Sequence, residues 1–176
     1  MPRPPPVAGA HWAPDSVTIP GVPGFQFPKK IRLPADAYED RDNAFHLVFH
    51  AFSETAPFRG DVGDRVWETA IAERTRTAVV LLGACLMPEH LHLLAKPGDR
   101  SVIRWVNGFK SYAAKVARAH GARMPLWQPG FYDRHIRDEA EYETTLYYVL
   151  NNPVAAGLVV DSAEWPWLFV SAEGPT

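Results

Sequence analysis

The segment Leu86–Pro97 reads LMPEHLHLLAKP and places two histidines, His90 and His92, in an apolar run with one leucine between them. Such a run is typical of a buried β-strand. Because successive side chains of a strand point to opposite faces, both imidazoles should project from one face and the neighbouring leucines from the other. The segment therefore predicts a core strand that presents a pair of nitrogen ligands.

The other segments predict an antiparallel sheet covered by helices. The apolar run before Met87-Pro88-Glu89 should be the hairpin partner of the histidine strand, since this tripeptide marks a break. Apolar residues at three-and-four spacing predict three helices, of which the second should end before Gly121. In chain order we expect a strand at Ala44–Phe52, a helix at Asp61–Thr77, strands at Thr77–Met87 and His90–Lys96, a helix at Ser101–His120, a strand at Phe131–Arg137 and a helix from an Asp138/Glu141 capping box to Pro153. This order favours an α+β fold, a mainly antiparallel sheet with helices packed on it, in a ferredoxin-like sandwich.

Length and composition bound the possible classes. The chain has 176 residues, of which 47% are hydrophobic, enough for one domain with a core. Nine of the 17 prolines lie in residues 1–34, so we expect an irregular N-terminal arm over residues 1–42, a folded domain over residues 43–170 and a tail over residues 171–176. The single cysteine excludes an internal disulfide. No segment resembles a signal peptide or the roughly 20-residue apolar span of a membrane helix, so we expect a cytoplasmic protein without a membrane partner.

The last predicted helix, EYETTLYYVLNNPV (Glu141–Val154), adds polar groups to the histidine pair. Tyr148 and Asn152 are one turn apart on its polar flank, beside an apolar stripe. Asn152 precedes Pro153 and should lie at the fraying end of the helix, free to turn toward a neighbouring site. Two imidazoles and one amide oxygen could bind a divalent cation with open positions, Mg²⁺ or Mn²⁺ in the cell.

Three motifs together resemble a known family. They are MPEHLHLL (Met87–Leu94), LWQPGFYDRHIRDEAEY (Leu126–Tyr142) and YYVLNNPVAAGLV (Tyr147–Val159). In this order they are similar to the single-tyrosine HUH transposases (HUH endonucleases), in particular REP-associated tyrosine transposases and insertion-sequence relatives, over roughly residues 44–169.

The resemblance implies specific roles. His90, His92 and Asn152 would bind the metal, and Tyr148 would attack a DNA phosphodiester, forming a 5′-phosphotyrosine link and freeing a 3′-hydroxyl. This is transesterification, which nicks and rejoins DNA during transposition or recombination. The implied partner is single-stranded DNA beside a hairpin of the REP type, bound by a monomer or a homodimer.

A cationic segment could bind such DNA although the net charge is only −2. Residues 100–124 contain six basic residues and no acidic one. Phosphates could bind to them, and unpaired bases could stack on nearby aromatic rings. The predicted DNA-binding residues are Arg100, Arg104, Lys110, Lys115, Arg118, Arg123, Trp127 and Gln128.

Several alternatives remain open from the sequence. Tyr147 could replace Tyr148 as the nucleophile, although the helical register with Asn152 favours Tyr148. His46, His50 and His135 have no assigned role, and the first two could flank the site or simply pack. A non-catalytic or domesticated sequence-specific DNA-binding regulator on the same fold is the alternative function. A metal hydrolase of the amidohydrolase type is disfavoured, because its barrel needs about 250 residues.

Overall fold

The computed structural model describes residues 33–52 and 58–172, and these residues form an antiparallel sheet with helices on both faces. The strands are β1 (Ala44–His50), β2 (Val79–Leu86), β3 (His90–Pro97), β4 (Tyr132–Ile136) and β5 (Leu168–Val170). The helices are α1 (Gly60–Ala72), α2 (Val102–Ala119) and α3 (Glu139–Ala155), with short 3-10 turns at Ala35–Tyr38, Glu73–Thr75 and Ser162–Glu164. The predicted α+β class is confirmed.

The histidine strand lies at the centre of the sheet, whose order is β4-β1-β3-β2-β5 with every pairing antiparallel. The expected hairpin of β2 and β3 forms, and β1 pairs with the other edge of β3. In that pairing Val48 lies opposite His92, and His50 lies opposite His90. Because directly opposed residues point to the same face, the register places the histidines of both strands on one side of the sheet.

The two faces of the sheet carry different helices. Leu91 and Leu93 belong to the core beneath α1 and α2. Leu94 belongs to a smaller core beneath α3, which we call the α3 face. Gly83 allows α3 to approach β2 closely, since a Cβ at this position would lie 2.9 Å from Cδ1 of Leu146. The α3 face is thus the one that carries the paired imidazoles.

The helix boundaries follow from local chemistry, with one exception. The hydroxyl of Ser101 caps α2, the carboxylate of Asp138 caps α3, and Gly121 follows α2 with a φ of +90°. The prediction that α3 ends before Pro153 is wrong, because the helix continues to Ala155. Proline removes only its own N–H from the helix, and the last turn is closed by hydrogen bonds from residues 156 and 158 to the carbonyls of residues 152 and 153.

Two further features were not predicted. Strand β5 extends the sheet beyond β2, and its three residues are too few to give a periodic signal. Residues 33–42, within the predicted arm, include a 3-10 turn whose Tyr38 is buried and stacks on Phe45 with ring centroids 5.0 Å apart. Most of the predicted arm and the end of the predicted tail lie outside the described residues, so the division into arm, domain and tail stays a prediction.

None of the helices in the described part of the chain combines the length and the apolar character needed to span a bilayer.

Candidate active site

Four histidines cluster on the α3 face at the junction of β1 and β3. His46 and His50 come from β1, and His90 and His92 come from β3. The rings of His90 and His92 lie 4.6 Å apart between centroids and are nearly perpendicular, at 86°. The predicted pair therefore meets at one point of the sheet, as the alternation of the strand requires.

Each of the two predicted histidine ligands has a neighbouring histidine from β1. The ring of His50 lies 5.4 Å from that of His90. Nε2 of His46 lies 3.0 Å from Nδ1 of His92, a hydrogen-bonding distance, and both side chains are buried. Sequence reasoning left these two residues unassigned. The signal that could have placed them is the spacing of His46 and His50, which share one strand face as His90 and His92 do.

Tyr148 of α3 packs on this cluster. The centroid of its ring lies 5.7 Å from that of His92 and 6.1 Å from that of His46, both in edge-to-face arrangements. The neighbouring Tyr147 is 59% exposed. Of the two tyrosines left open by the sequence, the structure therefore brings Tyr148 to the histidines and directs Tyr147 to solvent.

Asn152 lies one helical turn after Tyr148, within α3 and not at a frayed end as predicted. Its side-chain Nδ2 donates a 2.8 Å hydrogen bond to the carbonyl oxygen of Tyr148. The amide is therefore held by the continuing helix beside the tyrosine. Its carbonyl oxygen is the part that remains suited to bind a cation.

Burial governs the protonation of these groups. Desolvation, aided by the neighbouring histidines, lowers the pKa of His90 to about 3 and that of His92 well below its ordinary value. Both imidazoles are thus neutral near pH 7, which is the form that binds metals. Burial also raises the pKa of Tyr148, and a hydrogen bond from Asn152 opposes this rise. The phenol is therefore protonated at neutral pH in the absence of a cation.

One observation supports the fit of the site residues to a divalent cation. Nε2 of His92 is buried and has no hydrogen-bond partner among the described residues. Within residues 33–52 and 58–172, no three His, Cys, Asp or Glu side chains form a metal-binding group, so a third ligand would have to be of another kind. The amide of Asn152 is such a ligand, and Mg²⁺ and Mn²⁺ both accept amide oxygens.

Strand β4 adds groups that sequence reasoning missed. Tyr132 contacts the ring of His46 edge to face, with centroids 6.3 Å apart. Arg134, opposite His46 in the sheet, forms a largely buried ion pair with Glu141 near the start of α3. This pair ties the sheet to the helix that carries Tyr148. Both residues lie within the motif Leu126–Tyr142, but that motif gave them no role from the sequence alone.

The predicted DNA-binding residues mostly lie on the opposite side of the sheet from the histidines, because α2 packs on the other face. Five of the basic residues are exposed and form no ion pair within the described part of the chain, namely Arg100, Arg104, Lys115, Arg118 and Arg123. No described carboxylate therefore lies within ion-pair distance of these five side chains.

The other three predicted DNA-binding residues make contacts within the protein. Trp127 is only 7% exposed, packs against Phe58 and donates from Nε1 to the carbonyl of Lys110, so its ring is not available for base stacking. Nζ of Lys110 donates to the carbonyls of Gln128 and Gly130, which holds the loop after Trp127 against α2. Gln128 is exposed, and its N–H donates to the carbonyl of His50 at the histidine end of β1.

A groove of about 510 Å³ runs beside α2, and we call it the α2 groove. Its wall includes Arg76, Arg100, Trp105, Gly108 and Tyr112. Tyr112 is 51% exposed, whereas Trp105 is buried and donates from Nε1 to the carboxylate of Glu73. The volume lies within the usual range of ligand sites, roughly 300–1,000 Å³. The groove thus combines aromatic rings and arginines with the carboxylates of Glu73 and Asp99.

Fold and site together define an α+β protein in which a histidine pair on the central strand faces a helix tyrosine. Residues 41–152 match the family model described as "Transposase IS200 like", and the chain belongs to this family. The family predicted from the three motifs is therefore confirmed.

Two relatives show how far the similarity extends. The chain is 29% identical over 85 residues to the REP-associated tyrosine transposase of Escherichia coli K12, an alignment that covers 47% of this chain and 48% of that protein. The chain therefore matches about half the length of this curated relative. The solved structure of a REP-associated tyrosine transposase bound to a REP hairpin has a TM-score of 0.63, with 19% identity over 81% of this chain and 82% of the other. At this identity the likeness supports the fold.

Proposed function

We propose that this protein is a metal-dependent transesterase that nicks and rejoins single-stranded DNA at hairpins of the REP type, with Tyr148 as the nucleophile. Family membership supports a transposase-like protein, and the solved relative is one bound to a REP hairpin. The observation that carries the proposal is the position of Tyr148, whose ring contacts the buried, neutral imidazole of His92.

The chain's own groups divide the chemical tasks. The phenol oxygen of Tyr148 would attack a phosphorus atom, forming a Tyr–phosphate bond as the bond to the 3′ oxygen breaks. The phenol loses its proton, and the departing 3′ oxygen gains one. The energy of the broken phosphodiester is retained in the new one, so the 3′-hydroxyl can reverse the step and rejoin the strand.

His90, His92 and Asn152 would hold the cation. When bound there, such a cation would supply positive charge that offsets the charge on the phosphate and would favour the ionised phenol. These residues are prepared to bind the cation before DNA binds, because both imidazoles are neutral and the amide of Asn152 is held on the helix that carries Tyr148. Because the pKa of Tyr148 is raised by burial, the phenol should react poorly without the cation.

The exposed α2 surface and the α2 groove are proposed to bind a part of the DNA distant from the reacting phosphate. This follows from the sheet, which separates α2 from the histidine cluster. The unpaired cations would contact phosphates, and Tyr112 could stack on an unpaired base. Binding and cleavage would then depend on different faces of the molecule.

The test is formation of a covalent adduct. The full chain is incubated with Mn²⁺ and a labelled single strand bearing a hairpin, and the products are separated under denaturing conditions. We expect a protein–DNA adduct that is lost in Tyr148→Phe and retained in Tyr147→Phe, which is the matched control because Tyr147 is exposed. EDTA should also abolish the adduct.

The same experiment separates the alternative function. Hairpin binding that is unaffected by EDTA, with no adduct under any metal condition, would favour a DNA-binding regulator. An adduct that persists in Tyr148→Phe would exclude Tyr148 as the nucleophile.

A further inference from the structure

His46 forms a buried pair with the candidate ligand His92. Nε2 of His46 lies 3.0 Å from Nδ1 of His92, and the two rings are nearly parallel, at 20°. The side chains are 1% and 3% exposed, so the contact is shielded from bulk solvent. A hydrogen bond between two neutral imidazoles contains one hydrogen, which belongs to either His46 or His92.

The position of this hydrogen decides what the other nitrogen of His92 can do. If Nδ1 of His92 is the donor, its Nε2 bears a lone pair. If Nε2 of His46 is the donor, Nε2 of His92 bears a hydrogen and cannot bind a cation. That Nε2 and the Nδ1 of His46 are both buried and have no hydrogen-bond partner among the described residues, so no described group at the outer nitrogens selects between the two arrangements.

We propose that His46 is a positioning residue for His92: its Nε2 accepts the Nδ1–H of His92 and leaves the Nε2 lone pair of His92 for the divalent cation. This inference rests on the proposed function, because it requires a cation at that site. Metal-binding histidines almost always donate their second N–H to an acceptor, which fixes the tautomer and the ring orientation. In this protein the acceptor is another imidazole.

The surroundings of His46 hold its ring in this position. Its ring meets those of Tyr132 and Tyr148 edge to face, with centroids 6.3 and 6.1 Å away. It is therefore held between the candidate nucleophile and β4, and its Nε2 faces His92. His46 thus links the orientation of a metal ligand to the position of the reactive phenol, without itself being placed to contact the phosphate.

The first measurement is the affinity of the full chain for Mn²⁺, from the electron paramagnetic resonance signal of free Mn²⁺ without DNA. His46→Phe keeps a ring of similar shape and removes the acceptor, so affinity should fall by roughly 10- to 100-fold. His46→Gln restores an acceptor and should recover part of the loss. The control is His135→Phe, since His135 pairs with Asn43 through a 3.0 Å contact on the other face of the sheet.

The second measurement needs no variant. The ¹⁵N resonances of the wild-type imidazoles in the presence of Mg²⁺ identify which nitrogens bear hydrogens. We expect a hydrogen on Nδ1 of His92 and none on Nε2 of His46. If His46→Phe does not fold, these resonances and the Mn²⁺ affinity of His46→Gln still test whether His46 accepts from His92.

Two results would overturn the inference and leave the proposed function standing: unchanged Mn²⁺ affinity in a folded His46→Phe variant, or a hydrogen on Nε2 of His46 in the Mg²⁺-loaded protein. A wild-type protein that binds no Mn²⁺ would overturn both, because the cation site itself would be wrong. The two failures are therefore distinguishable.

Discussion

Replacing Gly108 with alanine should make the protein more stable and its DNA binding weaker. Gly108 is an exposed residue inside α2, where glycine is less favourable than alanine by about 0.8–1.0 kcal/mol. A Cβ built at this position meets no atom within 4 Å, so the added methyl group should cause no clash. We therefore expect a gain of about 1 kcal/mol in the free energy of unfolding, equivalent to roughly 2–4 °C in Tm for a chain of this size.

The same substitution should lower the affinity for DNA. Packing within the protein does not require glycine at this position, whereas close approach of a bound group along the α2 groove would. If a base or sugar lies against this turn of the helix, the methyl group overpacks the contact by about 1–3 kcal/mol. This corresponds to a roughly 5- to 150-fold increase in Kd.

The assay pairs urea denaturation with fluorescence anisotropy of a labelled hairpin strand. Asn107→Ala is the control, since Asn107 is exposed on the same helix but does not line the groove. It should also stabilise the helix, and it should leave Kd unchanged. A Gly108→Ala variant that gains stability and keeps full affinity would refute the proposed groove contact, and one that gains no stability would refute the reasoning from helix propensity.

Two further predictions concern charge. Arg104→Gln should weaken binding to single-stranded DNA and reduce the slope of log K against log salt concentration by about 0.7, the value for one phosphate contact. Titrations at several salt concentrations measure this slope. An unchanged slope would show that Arg104 does not contact the DNA. Glu141→Gln should lower the free energy of unfolding at pH 7 by about 1.5–3 kcal/mol, because the carboxylate accepts from Arg134 and Arg137. Burial alone would raise the pKa of Glu141, but these hydrogen bonds and the charge of Arg134 hold it below its usual 4.5. The difference in the free energy of unfolding between wild type and Glu141→Gln should therefore have its whole value above pH 4.5 and should vanish as the pH falls through the lower pKa of Glu141 in the folded state. Urea denaturation that shows the same difference at low pH would contradict this account.

The local patterns of the sequence were sufficient to predict most of the helices and strands and to place the candidate ligands on them. The alternation in LMPEHLHLLAKP predicts that His90 and His92 share a face, which depends only on the geometry of one strand. The spacing of Tyr148 and Asn152 likewise follows from one helix. The end of α3 was predicted wrongly because the rule for proline considers one lost hydrogen bond, whereas the observed turn is closed by residues beyond it.

The sequence by itself determined which groups are present and which of them are neighbours along a strand or a helix. Only the tertiary structure decided that His46 lies against His92, that Trp127 is buried and that the cationic helix lies on the face opposite the histidines. The physical reason is that strand register and helix packing are set by contacts between residues far apart in the chain. A local period gives the face on which a side chain lies, but the partner across that face depends on how the whole sheet is assembled.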